Sequence, residues 1–159
     1  MGWIPPEEYV KTISQATMFG CLYFTNEQGW PIQLLSVYGE VHWQLPGGCT
    51  DVGETPWETA VRECAEETGH RFTGPPRLLV TQFIQAHEAW PLPKVGFVFD
   101  GGILRDREID EITLDPEEHS EFRVKPLDAW RKIMAPEKFV RLGVVAAARQ
   151  SGEHQLVIG

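Results

Sequence analysis

Between Gly48 and His70 the chain reads GCTDVGETPWETAVRECAEETGH, and this stretch constrains the fold more than any other. Thr55 can cap a helix, Pro56 fits the first helical turn, and Glu58 stands where a capping box returns a bond. Gly69 supplies the stop, because glycine takes the left-handed conformation that ends helices. At ~100° per residue, Glu63, Glu66 and Glu67 share one narrow arc of the helix between these signals. Trp57, Ala60, Val61, Cys64 and Thr68 share the adjoining arc. The pattern predicts a helix packed on a core by one face and acidic on the next.

Three carboxylates on neighbouring turns repel by about a few tenths of a kcal/mol per pair. No Lys lies in the helix, and Arg62 falls to the side of the acidic arc. A divalent cation would relieve the repulsion, and a donor set of oxygens with no His or Cys cluster favours Mg²⁺ or Mn²⁺ over zinc. A lone acidic run is more often a solvated face, but the glycines, cap and stop around this one argue for a built site.

The segment resembles the Nudix box, G-x5-E-x7-R-E-U-x-E-E-x-G-U, with U a bulky apolar residue. Gly48, Glu54, Arg62, Glu63, Glu66, Glu67 and Gly69 all match, whereas the two U positions hold Cys64 and His70. Cys64 behaves as a small hydrophobe, and His70 is the larger departure. The run Trp43-Gln-Leu-Pro46-Gly47 is similar to the strand and turn that lead into the box in that family. The resemblance implies an α/β fold, an α/β/α sandwich with a mixed β-sheet between helices. It also implies a hydrolase that cleaves a phosphoanhydride bond in a nucleoside diphosphate derivative, such as a nucleoside triphosphate or nucleotide sugar, by attack of water on phosphorus.

Residue by residue, the resemblance implies Glu63, Glu66 and Glu67 as metal ligands, with the Gly48 carbonyl as a further one. Arg62 is expected to orient a box carboxylate, Glu54, which supports the site. For the general base the choice stays open between Glu66 or Glu67, acting through a metal, and a glutamate of the late acidic loop. Glu117, Glu118 and Glu121 stand there, and Glu118 is the one selected. Two other outcomes of the same fold are a non-catalytic nucleotide-binding regulatory module and an isomerase of isopentenyl diphosphate. The first commonly loses box carboxylates that this chain keeps, and the second needs a reactive Cys and a His-bearing metal site that cannot be assembled here.

Composition narrows the partners. A net charge of -9 opposes sequence-independent binding to a nucleic acid polymer or an anionic membrane. The expected partner is a small nucleotide or diphosphate, with a homodimer conceivable through the N-terminal residues. Cys21, Cys49 and Cys64 are odd in number and lack metal-site spacing, which fits a reduced, cytoplasmic setting. No apolar run approaches transmembrane length. With 159 residues, one domain over 1–159 is expected, residues 1–15 forming an N-terminal arm.

Along the chain, strands are expected at Met18 to Thr25, Ile32 to Tyr38, Trp43 to Leu45, Arg77 to His87, Lys94 to Leu104, around Phe122 to Val124, and at Gln155 to Ile158. Asp106 to Glu121 reads as an acidic loop. Pro126 opens a short helix towards Met134, and Pro136 opens another towards Gln150. Trp43, Phe83 and Trp90 are possible base-stacking residues, Trp90 alone resembling a rim position. Arg77, Lys94, Arg105, Arg107 and His87 are the polar groups considered for phosphate contact or proton transfer.

Overall fold

The computed structural model describes residues 2–159. The strands are β1 (Thr17–Thr25), β2 (Ile32–Ser36), β3 (Trp43–Gln44), β4 (Gly47–Cys49), β5 (Leu78–Ile84), β6 (Lys94–Ile103), β7 (His119–Val124) and β8 (Gln155–Ile158). The helices are α1 (Pro6–Tyr9), α2 (Pro56–Thr68), α3 (Asp106–Asp110), α4 (Leu127–Trp130) and α5 (Pro136–Ser151), with a single 3-10 turn at Val10–Thr12.

A five-stranded sheet runs β4-β1-β6-β5-β8 and is mixed: β1 pairs with β6, and β5 with β8, in parallel, whereas β1–β4 and β5–β6 are antiparallel. Alternation along β1 sends Leu22 and Phe24 to one face and Cys21 and Tyr23 to the other. The first face meets Ala60 and Cys64 of α2, while the second meets Leu142, Val145 and Ala148 of α5. Helices therefore cover the mixed sheet on both sides, as the sandwich requires.

A second, three-stranded antiparallel sheet, β3-β2-β7, stands apart from the first. Fully buried Trp130 joins it to the α5 side of the core, its ring edge-on to Trp43 at 5.2 Å and its indole N–H donating to the Lys125 carbonyl at 3.2 Å. Several boundaries differ from expectation. The acidic segment begins with α3, whose Glu108 carboxylate accepts from the Arg105 N–H at 2.8 Å. β7 starts at His119 because its ladder with β2 extends to Ser36, and α4 ends at Trp130, short of Met134.

The helix α2 is built as its end signals predict. Thr55 and Glu58 form the reciprocal capping box, and Gly69, at φ 75°, closes the last turn by donating to Ala65. The helix lies so close to β1 that a Cβ on Gly20 would overlap the Pro56 carbonyl. Gly20→Ala should therefore push α2 off the sheet, with a loss of stability of about 1–3 kcal/mol visible as a lower midpoint in urea; an unchanged midpoint would show that the contact is not limiting.

Candidate active site

Glu63 and Glu67 of α2 face the β4 strand. The Gly47 N–H donates to Glu67 Oε2 at 2.9 Å, and a Cβ on Gly48 would overlap the Glu63 carboxylate. Gly48 leaves room for the Glu63 side chain, and Gly47, at φ 158°, leaves room for β1, where a Cβ would overlap the Gly20 carbonyl and Cys21. β4 is itself held by β1, with Gly48 opposite Gly20.

Arg62 is the hub of the surrounding charge. Its Nε and Nη2 bond Glu54 at 2.6 and 3.0 Å, a two-pronged contact, while Nη1 reaches Glu63 and Glu66, each at 3.0 Å. Asp51 lies 3.5 Å from Nη2. The position of Arg62 to the side of the acidic arc thus does not isolate it: the long side chain bends back across two of the three carboxylates. Glu54 also accepts from the Thr59 hydroxyl at 2.8 Å, and the Arg62 bond, more than the Thr59 bond, holds its carboxyl down at about 2.

Glu67 lies beyond the reach of that network. It is 2 % exposed, and burial, opposed by the Gly47 N–H and reinforced by Glu63 and Glu118, pushes its carboxyl up to about 9. Burial also raises Glu63, although Arg62 offsets part of the effect. On the far side of Glu67 stand Glu118 and His119, and one ligand atom from each of the three lies within 4.8 Å of the others. His119 is 1 % exposed. One of its ring nitrogens, Nε2, meets Gln44 at 2.7 Å; the other, Nδ1, has no hydrogen-bond partner and lies 4.0 Å from Glu67 Oε1.

These observations test the fit of a divalent cation. The donors are carboxylate oxygens with one imidazole, they are partly buried, and they repel one another in its absence. A hard cation with oxygen ligands suits such a set, and the orphaned Nδ1 leaves one further lone pair or proton aimed at the cluster. Glu63, Glu67, Glu118 and Gly48 converge; Glu66 lies at the exposed rim, tied to Arg62. Glu117 is exposed, and Glu121 pairs with Arg123 at 2.6 Å, so neither joins the cluster.

A cavity of about 660 Å³ opens beside β4, between the sheet and α5, and Gly47, Gly48 and Cys49 form part of its wall. Of the cations considered from sequence, only Lys94 lines it. Arg77 pairs with Asp100, Arg105 with Glu108 and Arg107 with Glu111. Trp43 is core as well as cavity wall, and Trp90 is anchored by Thr17 and covered by Lys94. The groups that sequence reasoning missed are His119, Gln44, His42, Lys138 and Arg141. For His119 the one local signal was its place beside the acidic loop. His70, the unusual residue after the helix, is half-buried with its ring edge-on to Phe24 at 6.1 Å, so it packs where an apolar residue would.

The family model of the NUDIX domain matches residues 15–142. Comparison with curated proteins finds no match. Among solved structures, the chain is similar to the MutT protein of Methanosarcina mazei Go1, at 20% identity and a TM-score of 0.67, over 87% of this chain and 96% of that one. It is similar to a UDP-X diphosphatase, at 18% identity and a TM-score of 0.65, over 98% of this chain and 76% of that one. A C. elegans Ap4A hydrolase matches at 19% identity and a TM-score of 0.59, over 84% of this chain and 96% of that one.

The elevated Glu67 carboxyl carries a stability consequence. Below pH 4.5 both folded and unfolded chains hold this proton; above it only the folded chain does, so unfolding releases a proton and stability falls as pH rises, until about pH 9. Glu67→Gln keeps an acceptor for Gly47 and removes the titration. In the metal-free protein it should flatten that part of the pH dependence and raise Tm at pH 8, by roughly 2–4 °C per kcal/mol relieved. Thermal scans from pH 5 to 9 that show equal slopes for both proteins would contradict this account.

Proposed function

The chain belongs to the NUDIX family of pyrophosphohydrolases, and we propose that it hydrolyses a phosphoanhydride bond of a small nucleoside diphosphate derivative with Mg²⁺ or Mn²⁺ as cofactor. The observation that carries this reading is the convergence of Glu63, Glu67 and Glu118 on the Gly47–Gly48 backbone, beside a cavity of nucleotide size.

Glu63, Glu67 and the Gly48 carbonyl would hold the ion directly, and Glu66, bonded to Arg62 at the rim, would join them by turning inward. When bound, the ion neutralises phosphate oxygens and lowers the pKa of water. Arg62 orients: its fork fixes Glu54 and, through Nη1, sets the direction of Glu63 and Glu66. The Gly47 N–H fixes Glu67. Glu118 takes the proton of the attacking water as its oxygen bonds to phosphorus, and the bond from phosphorus to the bridging oxygen breaks, that oxygen leaving with its electron pair. His119, held by Gln44, limits the positions that Glu67 and Glu118 can adopt. The printed descriptions of the relatives, Ap4A hydrolase, UDP-X diphosphatase and an ADP-ribose pyrophosphatase of Streptococcus suis, support the substrate class and leave its members open to test.

Hydrolysis should be screened across nucleoside triphosphates, ADP-ribose, nucleotide sugars and dinucleoside polyphosphates, with Mg²⁺ or Mn²⁺ and after chelation. Turnover is expected to vanish on chelation and to fall about 100-fold or more in Glu67→Gln. Ligand binding without turnover under either ion would instead favour the regulatory module. Glu118→Gln should lower kcat by ~10²-fold or more if Glu118 is the base; an unchanged kcat would remove it from that role.

A further inference from the structure

The cavity brings unlike groups together. Gly47, Gly48 and Cys49 of its wall border the acidic cluster, and α5 presents Lys138 and Arg141 to it, three residues apart in its first turns. The rest of the lining mixes apolar Val80, Val98 and Leu142 with polar Gln33, Gln82 and Lys94. Both cations are half-buried, and among the described residues neither forms an ion pair. The sole carboxylate of the cavity wall, Glu137, acts on both through its charge but bonds to neither.

Lys138 Nζ is steadied by His42, whose Nδ1 lies 2.8 Å away. An imidazole that accepts from an ammonium must be neutral, and burial together with Lys138 and Arg141 keeps His42 below its ordinary value. Burial first, then Arg141, brings the Lys138 ammonium down to about 8. A purely structural role would bury the apolar stems and leave the charged heads in water. Here the two residues line one cavity together, in a protein of net charge -9 that has carboxylates to spare elsewhere.

We propose that Lys138 and Arg141, with His42 holding Lys138 in place, form an anion subsite on the α5 wall of the cavity. The substrate it selects is a nucleoside diphosphate derivative that bears a second anionic group, phosphate or carboxylate, away from the bond that is cleaved. This inference rests on the hydrolase reading above and adds the substrate's second charge. Arg141 supplies a planar fork and Lys138 a point charge, so the pair can grip either kind of oxyanion. Desolvation by the apolar lining strengthens the contact.

Matched substrates test the subsite. UDP-glucose and UDP-glucuronate differ by a carboxylate; NAD and NADP differ by a phosphate. Because the whole protein is anionic, the member of each pair with more negative charge is disfavoured at long range, and a preference for it reports the local site. For the wild-type protein, the ratio of kcat/KM, the member with the extra anionic group over the member without it, should reach roughly ten or more in at least one pair. That ratio should fall towards one in Arg141→Gln and in Lys138→Gln, and Lys138→Arg should restore much of it. The pair that responds identifies the source of the anion. Calorimetric Kd ratios on the same proteins provide the readout if no member turns over: the broader hydrolysis screen then decides the hydrolase reading, and the binding ratio decides the subsite separately. A ratio near one for wild type in both pairs, a ratio unchanged by both Gln variants, or no binding of any member overturns the proposal.

Discussion

The single bond from the Gly47 N–H to Glu67 is the contact on which the rest of the site depends. It joins the end of the acidic helix to the edge strand, and it compensates part of the desolvation of a carboxylate that lies beyond the reach of Arg62. Everything nearby is arranged around that closeness. Gly48 leaves room for Glu63 and Gly47 for the neighbouring strand, Gly20 lets the helix start press on the sheet, and the capping box and Gly69 set the helix length so that Glu63 and Glu67 end up at the strand.

Charge is then divided between two environments. On the outer side, Arg62 binds Glu54, Glu63 and Glu66 and offsets part of their mutual repulsion. On the inner side, Glu67 and Glu118 stand beside a neutral, orphaned imidazole nitrogen, with no cation among their contacts. Buried carboxylates without a cation are costly, so this inner side is where the molecule is least content with itself. A fold that retains such a place does so for what binds there.

The helix and its ends could be read from sequence because their determinants are local: a cap, a proline, a glycine and an arc of side chains within one turn of each other. The seven fixed box positions carried the family resemblance in the same short window. What could not be read lies across the chain. Gln44 and His119 meet over a separation of 75 residues, and His42 and Lys138 over 96. No periodicity reports such meetings. The contacts of Arg62 with Glu63 and Glu66 were not legible from the helical arc either, since a guanidinium on a long stem reaches charges that its Cα direction does not suggest. The short helix at Asp106 was hidden by its acidity, although Glu108 and the Arg105 backbone close it much as Glu58 and Thr55 close the longer one.

The parallel pairing of β1 with β6 sets an order for the chain's assembly. Thr17 aligns with Lys94 in that ladder, and the entire acidic helix belongs to the connection between them. As the chain emerges from a ribosome, β1 has only the three residues of β4 beside it until β6 is made, and long-range parallel pairing is slow to form. Glu118, His119 and the basic turns of α5 arrive after that. The box carboxylates are thus synthesised well before Glu118 and His119 can cover them, and a nascent chain halted midway carries the recognisable box without the residues that bury Glu67 from the far side. Competence for phosphate chemistry is in this sense a property of the finished chain, acquired at its last third.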